Sequence, residues 1–431
     1  MPSELPTGPV PSGWQSATLG EIVRRGGGHV QTGPFGSQLH ASDYVPAGVP
    51  SIMPVNIGDN RIVEDGIVRI AEADAERLSR HRVRAGDIVY SRRGDVERRA
   101  LVRPEQEGWL CGTGCLKIRL GEGGVDPKFA SYYLGHPAVR AWIVRHAIGA
   151  TMPNLNTSIM EAVPFLVPPP IEQRALACIL GALDEKIELN RQMNRAWDAI
   201  GRALFKSWFV DFEPVRAKAA DGPSSGFAPH VARLFPDGFE DSDHRQIPRG
   251  WRVLSLGDVC EFEYGKALKE SERNPGRVAV MGSNGQVGWH DSALVQGPGL
   301  VIGRKGNPGI VTWVHTDFYP IDTTFYVVPK IKSVPLTYLR QALIRLELPQ
   351  LGADSAVPGL NRNIAYMSRI LVPSPAVLHA FDCQATALAD RIHQSEQQNQ
   401  TISALRDALL PRLVSGELRV SAAERIVGRC T

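Results

Sequence analysis

The architecture of the chain follows from the segment Phe165-Leu166-Val167-Pro168-Pro169-Pro170 and the residues after it. Between Pro170 and Phe212 there is no further proline, and Gly181 and Gly201 are the only glycines. Large apolar residues recur there at steps of three and four, which predicts a helix of about 40 residues, about 60 Å long. A helix of that length needs a partner to pack against.

This pattern occurs twice in the chain. Ile370-Leu371-Val372-Pro373-x-Pro375 repeats the stretch at a displacement of 205 positions, from 165 to 370. Earlier in each copy, Pro11-x-Gly13-Trp14 returns as Pro248-x-Gly250-Trp251, displaced by 237 positions, from 11 to 248. Because the displacement falls from 237 to 205, the first globular part carries 32 more residues than the second. The flanking motifs are repeated, whereas the globular sequence between them is not.

Each predicted helix carries an apolar stripe, and the two stripes correspond position by position. The first consists of Leu183, Ile187, Trp197, Ile200, Leu204 and Trp208, and the second of Leu388, Ile392, Ile402, Leu405, Leu409 and Leu413. Polar residues interrupt them at Asn190 and Asn194 and at Ser395 and Asn399. Buried polar residues at a helix seam often fix register or partner choice.

The globular parts have the composition of short strands joined by loops. Glycine and proline number 42 and 32 among the 431 residues, so irregular connections are abundant. We predict an α/β (α+β) fold with small mixed sheets in two globular domains, 1–170 and 248–375. Helical segments follow each domain at 171–213 and 376–420. Residues 214–247 have a linker composition, centred on Asp221-Gly222-Pro223-Ser224-Ser225-Gly226.

Positive charge is concentrated in the first part. Nine arginines and one histidine lie between Arg77 and Arg103, against three acids. Arg92-Arg93-Gly94 directly follows a predicted strand, and Arg304-Lys305-Gly306 does so in the second part. Arginine's planar fork suits phosphate oxygens or the guanine edge, which makes Arg92, Arg93, Arg304 and Lys305 candidate DNA contacts. The alternative is that both turns are solvated surface loops.

Two further kinds of loop are candidates for the same role. Gly33-Pro34-Phe35-Gly36-Ser37 has the composition of an anion-binding turn, with Gly33, Phe35 and Ser37 as candidate contacts, and Ser283-Asn284 resembles it more weakly. Asn156, Asn361 and Arg362 carry side chains that pair with purine edges. Alternatively, the first loops are tight turns, and the asparagines cap helices while Leu155 and Leu360 anchor the loops.

The patterns of several catalytic classes are missing from the sequence. Cys111-x3-Cys115 has no second cysteine pair, so we expect no zinc site. Gly303-x-x-Gly306-x-x-Gly309 lacks the Lys-Ser or Lys-Thr of a nucleotide-binding loop. The Asn-Pro-Pro-Phe and Asp-Pro-Pro-Tyr tetrads of adenine methylation do not occur. We therefore predict a binding protein rather than an enzyme.

Composition excludes a membrane protein. The chain is 22% charged and 43% hydrophobic, and its apolar runs are far shorter than the roughly 18–20 residues that cross a bilayer. Its first residues lack a secretory signal, so we expect a cytoplasmic protein whose six cysteines are reduced. The net charge of +3 averages over regions of opposite character and identifies no partner by itself.

Two unlike globular parts, each followed by a like long helix, resemble the specificity subunits of Type I restriction-modification enzymes. The resemblance covers nearly the whole chain and rests on short motifs. These are the two Pro-x-Gly-Trp openings, Gly33–Ser37, Gly86-Asp87-Ile88-Val89, the Val-Pro-x-Pro exits, Ile171-Glu172-Gln173-Arg174, Leu183-Asp184-Glu185-Lys186-Ile187 and Leu409-Leu410-Pro411-x-Leu413-x-Ser415-Gly416-Glu417-Leu418. The second helix departs from the pattern, since Ala376-Val377-Leu378-His379 lacks the Glu-Gln pair.

The resemblance implies a function. Two target-recognition domains would bind double-stranded DNA at two half-sites, and an antiparallel pair of coiled-coil helices would set the unread spacing between them. The implied partners are two methylation subunits, which hold S-adenosylmethionine, and two restriction subunits, which use ATP and Mg²⁺. The chain itself would hold no cofactor or metal.

Two other classes of protein remain as alternatives. A helical scaffold or adaptor would join partner proteins without reading DNA, and its basic turns would face solvent. A DNA-modifying enzyme acting alone is disfavoured by the missing motifs.

Overall fold

The computed structural model describes residues 7–149, 151–220, 227–242, 245–352 and 359–420. The centre of the predicted linker, 221–226, and Val357-Pro358 of the second asparagine loop lie outside these residues. The chain forms two compact units. Unit 1 contains Met1–Glu188 and Asn399–Thr431, and unit 2 contains Leu189–Gln398.

Unit 1 begins with eleven strands and five short helices within its described residues. The strands are β1 (Gln15–Thr18), β2 (Gly27–Thr32), β3 (Tyr44–Val45), β4 (Val49–Ile52), β5 (Asp59–Asn60), β6 (Val68–Ile70), β7 (Ile88–Ser91), β8 (Arg99–Leu101), β9 (Leu110–Cys111), β10 (Cys115–Gly121) and β11 (Pro164–Val167). The helices are α1 (Leu19–Arg25), α2 (Glu72–Arg77), α3 (Pro127–Tyr133), α4 (Pro137–His146) and α5 (Thr157–Glu161). Helix α6 (Pro170–Phe209) follows, and its 40 residues agree with the predicted length.

Unit 2 repeats this plan with fewer residues. Its strands are β12 (Phe239–Ser242), β13 (Arg245–Pro248), β14 (Arg252–Ser255), β15 (Cys260–Tyr264), β16 (Val278–Gly282), β17 (Gly285–His290), β18 (Gly299–Gly303), β19 (Val311–Val314), β20 (Phe318–Pro320), β21 (Thr324–Pro329) and β22 (Arg369–Val372). Its short helices are α7 (Glu213–Ala219), α8 (Pro229–Ala232), α9 (Leu256–Val259), α10 (Leu336–Arg345) and α11 (Arg362–Met367). The last helix, α12 (Pro375–Val414), also has 40 residues.

The sheets have equivalent topologies in the two units. Strand order β2-β10-β7-β8-β5 in unit 1 corresponds to β15-β21-β18-β19 in unit 2. A second sheet, β3-β6-β4-β9, corresponds to β17-β16-β20, and each contains one parallel pair, β4 with β9 and β16 with β20. Both units therefore contain small mixed sheets, which confirms the predicted fold class and the internal repeat.

The repeated Pro-x-Gly-Trp and Val-Pro-x-Pro motifs flank the same structure in both units. Strand β1 pairs antiparallel with β11, and β14 pairs antiparallel with β22. Each pair brings the beginning of a globular part beside its end, directly before a long helix. Trp14 and Trp251 are buried at these sites, which explains why both motifs keep the aromatic residue.

The Glu-Gln pair that opens α6 makes contacts inside unit 1. Glu172 accepts a hydrogen bond of 2.8 Å from Trp14 Nε1, and Gln173 accepts one of 2.7 Å from the Asp126 amide. In unit 2 the corresponding positions are Val377 and Leu378, both fully buried. Trp251 Nε1 has no hydrogen-bond partner among the described residues. The loss of Glu-Gln in α12 thus replaces polar anchoring with apolar packing.

Within unit 1, the beginning of α6 packs against the end of α12. Leu183 and Ile187 share a core with Ile402, Leu409 and Leu413. Five of the predicted interface residues are therefore buried together. This core also contains residues of α3 and of the β2-β10-β7 sheet, so the helix ends are fixed on the globular part.

Within unit 2, the end of α6 packs against the beginning of α12. Trp208 is buried, and its ring centroid lies 6.1 Å from that of Phe381. Asn190 Nδ2 donates to Gln398 Oε1 over 2.8 Å. The partner of residue 190 therefore lies after the partner of residue 208 in the sequence, so the helices run antiparallel.

The apolar stripe of the unit 2 helices is less regular than predicted. Trp197, Leu388 and Ile392 are half-buried, whereas Ile200 is 53% exposed. Ile200 therefore does not belong to the stripe. Asn194 Oδ1 and Ser395 Oγ are buried without a hydrogen-bond partner among the described residues. The contact between α6 and α12 is partly polar here, which lowers the apolar area that the two helices can bury.

Much of the predicted linker is folded. Residues 214–247 include most of α7, all of α8 and β12, and most of β13, which pairs with β12. Val215, Phe235 and Ile247 are buried in the core of unit 2. Composition suggested a linker because of 221–226, but apolar residues on both sides pack onto the long helices. None of the helices in the described part of the chain is long and apolar enough to span a bilayer.

Candidate nucleic-acid interface

In unit 1 the Arg92-Arg93-Gly94 turn lies against the asparagine loop. The turn follows β7, and Gly94 adopts a φ of +73° that favours glycine. The Gly94 amide donates to Pro153 O over 3.0 Å, and the Leu155 amide donates to Arg92 O over 2.9 Å. Arg93 and Asn154 form an antiparallel bridge. Two segments about 60 residues apart in sequence thus form one surface.

Arg92 is held in place, whereas Arg93 is free. Arg92 Nε donates to Leu155 O over 3.1 Å, and its guanidinium carbon lies 5.7 Å from the ring centroid of Phe35. Burial, followed by the neighbouring charge of Arg93, lowers the pKa of Arg92. The Arg93 side chain is exposed and makes no hydrogen bond or ion pair within the described residues. The structure therefore joins Phe35, Arg92 and Arg93 at one site.

The glycine turn after β2 completes this surface. The Gly33 amide donates to Cys115 O over 2.9 Å, and a Cβ added at Gly33 would lie 2.1 Å from Gly112 O. Gly33 therefore permits a close approach of two backbones. Phe35 is 53% exposed, and Ser37 is exposed. The tight-turn interpretation describes Gly33, while Phe35 and Ser37 face solvent.

The asparagines of both loops act as helix caps. Asn156 Oδ1 accepts from the Ile159 amide over 2.8 Å at the start of α5. Asn361 Oδ1 accepts from the Asn363 amide over 3.0 Å at the start of α11. Leu155 and Leu360 are buried beside them. The structure thus contains the capping contacts of the alternative interpretation, and a role of either asparagine in base recognition stays a prediction.

Unit 2 has an equivalent turn. Arg304 follows β18, and the Leu360 amide donates to Arg304 O over 3.0 Å. Lys305 and Gly359 form an antiparallel bridge, in the same relation as Arg93 and Asn154. Gly306 adopts a φ of +84°. The backbone arrangement is repeated, although the side chains differ.

Tyr264 organises the cations of unit 2. The guanidinium carbons of Arg304 and Arg362 each lie 4.9 Å from its ring centroid. Arg304 Nη1 donates to Asp322 O over 3.2 Å, and Arg362 Nη1 lies 3.6 Å from Glu261 Oε1. Tyr264 is 45% exposed. The sequence analysis did not identify Tyr264 as a site residue. Its position as an aromatic residue directly before a glycine at a strand end could have indicated it.

The weaker glycine turn of unit 2 has a different place from that expected. Ser283 and Asn284 lie in the hairpin between β16 and β17, whereas Gly33 follows β2. The structural counterpart of Gly33 is Gly265, which follows β15. Its amide donates to Thr324 O over 3.1 Å, and an added Cβ would lie 2.2 Å from Ile321 O. Similar composition therefore suggested a wrong equivalence.

Ser283 and Asn284 nevertheless lie beside the cationic turn. Asn307 Nδ2 donates to Asn284 Oδ1 over 2.5 Å. A Cβ added at Gly306 would lie 3.2 Å from Ser283 Oγ. The hairpin therefore supports the turn that carries Arg304 and Lys305, and the unit 2 candidates form one cluster.

Most of the arginines between 77 and 103 form ion pairs or hydrogen bonds within unit 1. Arg77 pairs with Asp74, Arg82 with Glu72 and Arg98 with Asp95. Arg99 is buried, and its Nε donates to Ser131 O over 2.6 Å. Counting charges therefore overstated the cationic surface, because several of these side chains support the fold.

The cysteine pair of unit 1 is also structural. Cys111 and Cys115 are buried, and Cys115 Sγ donates to Ile52 O over 3.3 Å. Burial raises the pKa of Cys111 to about 12. Within the described residues, no group of three or more His, Cys, Asp or Glu side chains is placed to hold a metal ion.

Comparison with known proteins finds similarity to one family. Residues 11–196 match the Type I restriction modification DNA specificity domain. The Type I restriction enzyme HindI specificity subunit of Haemophilus influenzae is 23% identical over 479 residues, which cover 94% of this chain and 100% of that protein. This chain is therefore similar to Type I specificity subunits over nearly its whole length. They are non-catalytic DNA-recognition subunits, in agreement with the prediction of a binding protein.

Two other matches extend over nearly the whole specificity subunit. The MjaIX specificity subunit of Methanocaldococcus jannaschii is 22% identical over 444 residues, covering 97% of this chain and 96% of that protein. The crystal structure of a Type I S subunit from M. genitalium matches with a TM-score of 0.54 at 18% identity, covering 95% of this chain and 99% of that one. At this identity the structural match shows the fold of the specificity subunit.

Proposed function

We propose that each unit of this specificity subunit reads one half of a bipartite, asymmetric DNA target. One observation carries this proposal: the same backbone pairing joins a cationic turn to a second loop in both units, with different side chains. Arg93 faces Asn154 in unit 1, and Lys305 faces Gly359 in unit 2. Equivalent positions with unlike side chains would select unlike base sequences.

The chemistry of the two clusters suits the two kinds of DNA contact. Phosphate contacts supply affinity without sequence preference, whereas base-edge contacts supply specificity. The exposed Arg93 and Lys305 can reach phosphates or bases. Arg92 and Arg304 are oriented by carbonyl oxygens and aromatic rings, which lowers the entropy lost when a guanidinium engages a guanine edge.

The helices would serve the rest of the enzyme. We propose that α6 and α12 bind two methylation subunits and help position two restriction subunits, with S-adenosylmethionine, ATP and Mg²⁺ on those partners. Exposed apolar side chains on α6 support a docking role, since Ile171 is 75% exposed and Leu189 is 50% exposed. The number of unread bases between the half-sites would follow from the helix length.

The proposal is tested by producing the full chain with its methylation subunit and mapping methylated adenines in host DNA. We expect one bipartite motif with unlike halves. Lys305→Ala should relax or weaken recognition of one half, and Arg93→Ala should do so for the other. Methylation without a defined motif would contradict the proposal.

The scaffold alternative predicts a different result in a simpler assay. Gel shifts at low salt, with and without the methylation subunit, would show no sequence-dependent retardation if the chain only joined other proteins. Methyl transfer by the isolated chain would instead indicate an enzyme.

A further inference from the structure

A basic cleft of about 660 Å³ lies on unit 1, outside the cationic turn. It opens on the β2-β10 sheet and on the segment that precedes β7. The residues that matter for its charge are His29, Arg80, Arg82, Arg84, Glu107 and Arg119. Four arginines and one acid therefore line the cleft.

Two of these arginines are fixed by the protein and two remain available. Arg119 donates to Asp87 through Nε at 2.8 Å and Nη2 at 2.6 Å, and Arg82 is paired with Glu72. The Arg84 side chain is exposed and makes no hydrogen bond or ion pair within the described residues. In the described part of the chain, Arg80 forms a side-chain hydrogen bond only through its Nε, which donates to His81 Nε2 over 3.0 Å. The cleft thus holds positive charge that the protein does not neutralise.

The cleft is built rather than being a chance grouping of surface arginines. Lys117 is almost fully buried, and its Nζ donates to Arg80 O over 2.8 Å and to Arg82 O over 2.7 Å. It therefore ties the 80–82 backbone to β10. Burial and then Arg119 lower the pKa of Lys117 to about 8, and burial followed by Lys117 and Arg119 lowers the pKa of His29.

The equivalent sheet face of unit 2 has a different composition. In unit 1, His29 pairs with Arg119 and Gln31 pairs with Lys117 across β2 and β10. At the equivalent positions of β15 and β21, Glu261 pairs with Val328 and Glu263 pairs with Tyr326. Two cations, a histidine and a glutamine in unit 1 thus correspond to two carboxylates and two uncharged residues in unit 2.

Part of the other wall comes from the connection between β2 and β7, which is longer than its counterpart in unit 2. The connection between β2 and β7 runs from residue 33 to 87, whereas the one between β15 and β18 runs from 265 to 298. Arg80, Arg82 and Arg84 lie in the longer connection, just after α2. The longer connection of unit 1 therefore carries three arginines of the cleft.

We propose that this cleft binds a phosphate of the DNA backbone beside the bases that unit 1 reads. The proposal rests on the proposed function. Arginine forks suit phosphodiester oxygens, and an electropositive cleft attracts a polyanion without selecting its sequence. From His29 to Gly33 the chain advances about 13 Å at 3.3 Å per residue, or about four base pairs at 3.4 Å each. The phosphate would then belong to the flank of the half-site.

The test uses the full chain with its methylation subunit and measures duplex affinity across a salt series. The variants are Arg84→Gln and Arg80→Gln/Arg84→Gln, and Arg233→Gln in unit 2 is a control with the same charge change. Arg233 is exposed and its side chain has no bonding partner among the described residues. We expect Arg84→Gln to lower affinity about three- to tenfold, to reduce the salt slope by about one, and to leave the methylated motif unchanged.

Duplex length locates the contact. On a duplex trimmed to the recognised bases, wild type and Arg84→Gln should bind equally, because the flank that the cleft holds is missing. Arg233→Gln should match the wild type on both duplexes. If Arg84→Gln also matches the wild type on the long duplex while the wild type binds its motif, the cleft proposal fails and the proposed function stands.

Two further outcomes are informative. One would show that the cleft binds free phosphate instead of DNA, and the other would show that the proposed function is wrong. If inorganic phosphate shifts the His29 ring resonances at millimolar concentration while Arg84→Gln leaves duplex affinity unchanged, the cleft binds free anions and the DNA proposal is wrong. If the wild type binds no duplex with sequence preference, the proposed function itself fails.

Discussion

Arg406 Nη1 donates to Asp184 Oδ1 over 2.8 Å, which joins the last third of α12 to the first half of α6 within unit 1. Arg406 Nη2 also donates to Asp59 Oδ2 over 2.6 Å, in the strand β5. One guanidinium thus connects both long helices to the recognition sheet. Burial alone would lower the pKa of Arg406, but Asp184 and Asp59 outweigh it and raise the pKa.

This network predicts a large effect of removing the cation. Arg406→Met would leave the mostly buried Asp184 without its cation, whereas the exposed Asp59 would be solvated by water, and we expect the free energy of unfolding to fall by about 3–5 kcal/mol. Arg412→Gln is the control, since its pair with Glu417 is exposed and contributes about 0–1 kcal/mol. Chemical denaturation measures both. Equal effects of the two variants would show that the network does not hold the helices.

Gly33 provides a test of the close backbone approach. Gly33→Ala would place a Cβ 2.1 Å from Gly112 O, so we expect a loss of stability of about 1–3 kcal/mol from the enforced shift. Gly36→Ala lies in the same turn with nothing within 4 Å of its added Cβ and should be tolerated. Thermal unfolding compares them, and an unchanged Tm for Gly33→Ala would contradict the interpretation.

Arg93 and Arg92 should respond differently to truncation. Arg93→Ala removes an exposed charge, so we expect weaker DNA binding, a salt slope lower by about one, and no change in stability. Arg92→Ala also breaks the 3.1 Å hydrogen bond to Leu155 O, which should cost about 1 kcal/mol of stability. Affinity titrations and denaturation on both variants separate the effects. Identical DNA binding by Arg93→Ala and wild type would remove this turn from the interface.

Tyr264 should act on DNA recognition by unit 2 through the arginines that it orients. Tyr264→Ala removes the ring beneath Arg304 and Arg362, and each cation–π contact contributes about 0.5–1 kcal/mol at an exposed site. We expect reduced discrimination at one half-site of the target. Tyr264→Phe keeps the ring and should behave like the wild type. The measurement is the methylated motif, and a loss of specificity in Tyr264→Phe as well would point to the hydroxyl instead.

His81 predicts a pH dependence of stability. Burial, followed by the charge of Arg80, lowers its pKa from 6.5 to about 4. Below pH 6.5 the unfolded chain takes up a proton that the folded chain refuses, so this histidine destabilises the fold increasingly as the pH falls to about 4. The slope is up to about 1.4 kcal/mol per pH unit. Denaturation at pH 8 and pH 5 should show a smaller drop for His81→Gln than for the wild type, and equal drops would be the contrary result.

Some features of the site were accessible in part from the sequence. The motifs at Arg92 and Arg304 were found because each follows a run of β-forming residues, and the structure places both beside the predicted asparagine loops. Gly265 and Tyr264 were not found. The displacement between the two copies changes inside the globular parts, so composition pointed to Ser283 instead of to the residue with the same hydrogen bonds.

The repeat and the two long helices could be predicted from the sequence, because periodic apolar residues and local motifs fix these features without reference to distant contacts. Tertiary structure decided which charges are available. Arg99 is buried while Arg84 faces solvent, and Lys117 sits beneath a basic cleft. Whether an arginine supports the fold or remains free depends on carbonyls and carboxylates far away in sequence, which only folding brings within hydrogen-bonding distance.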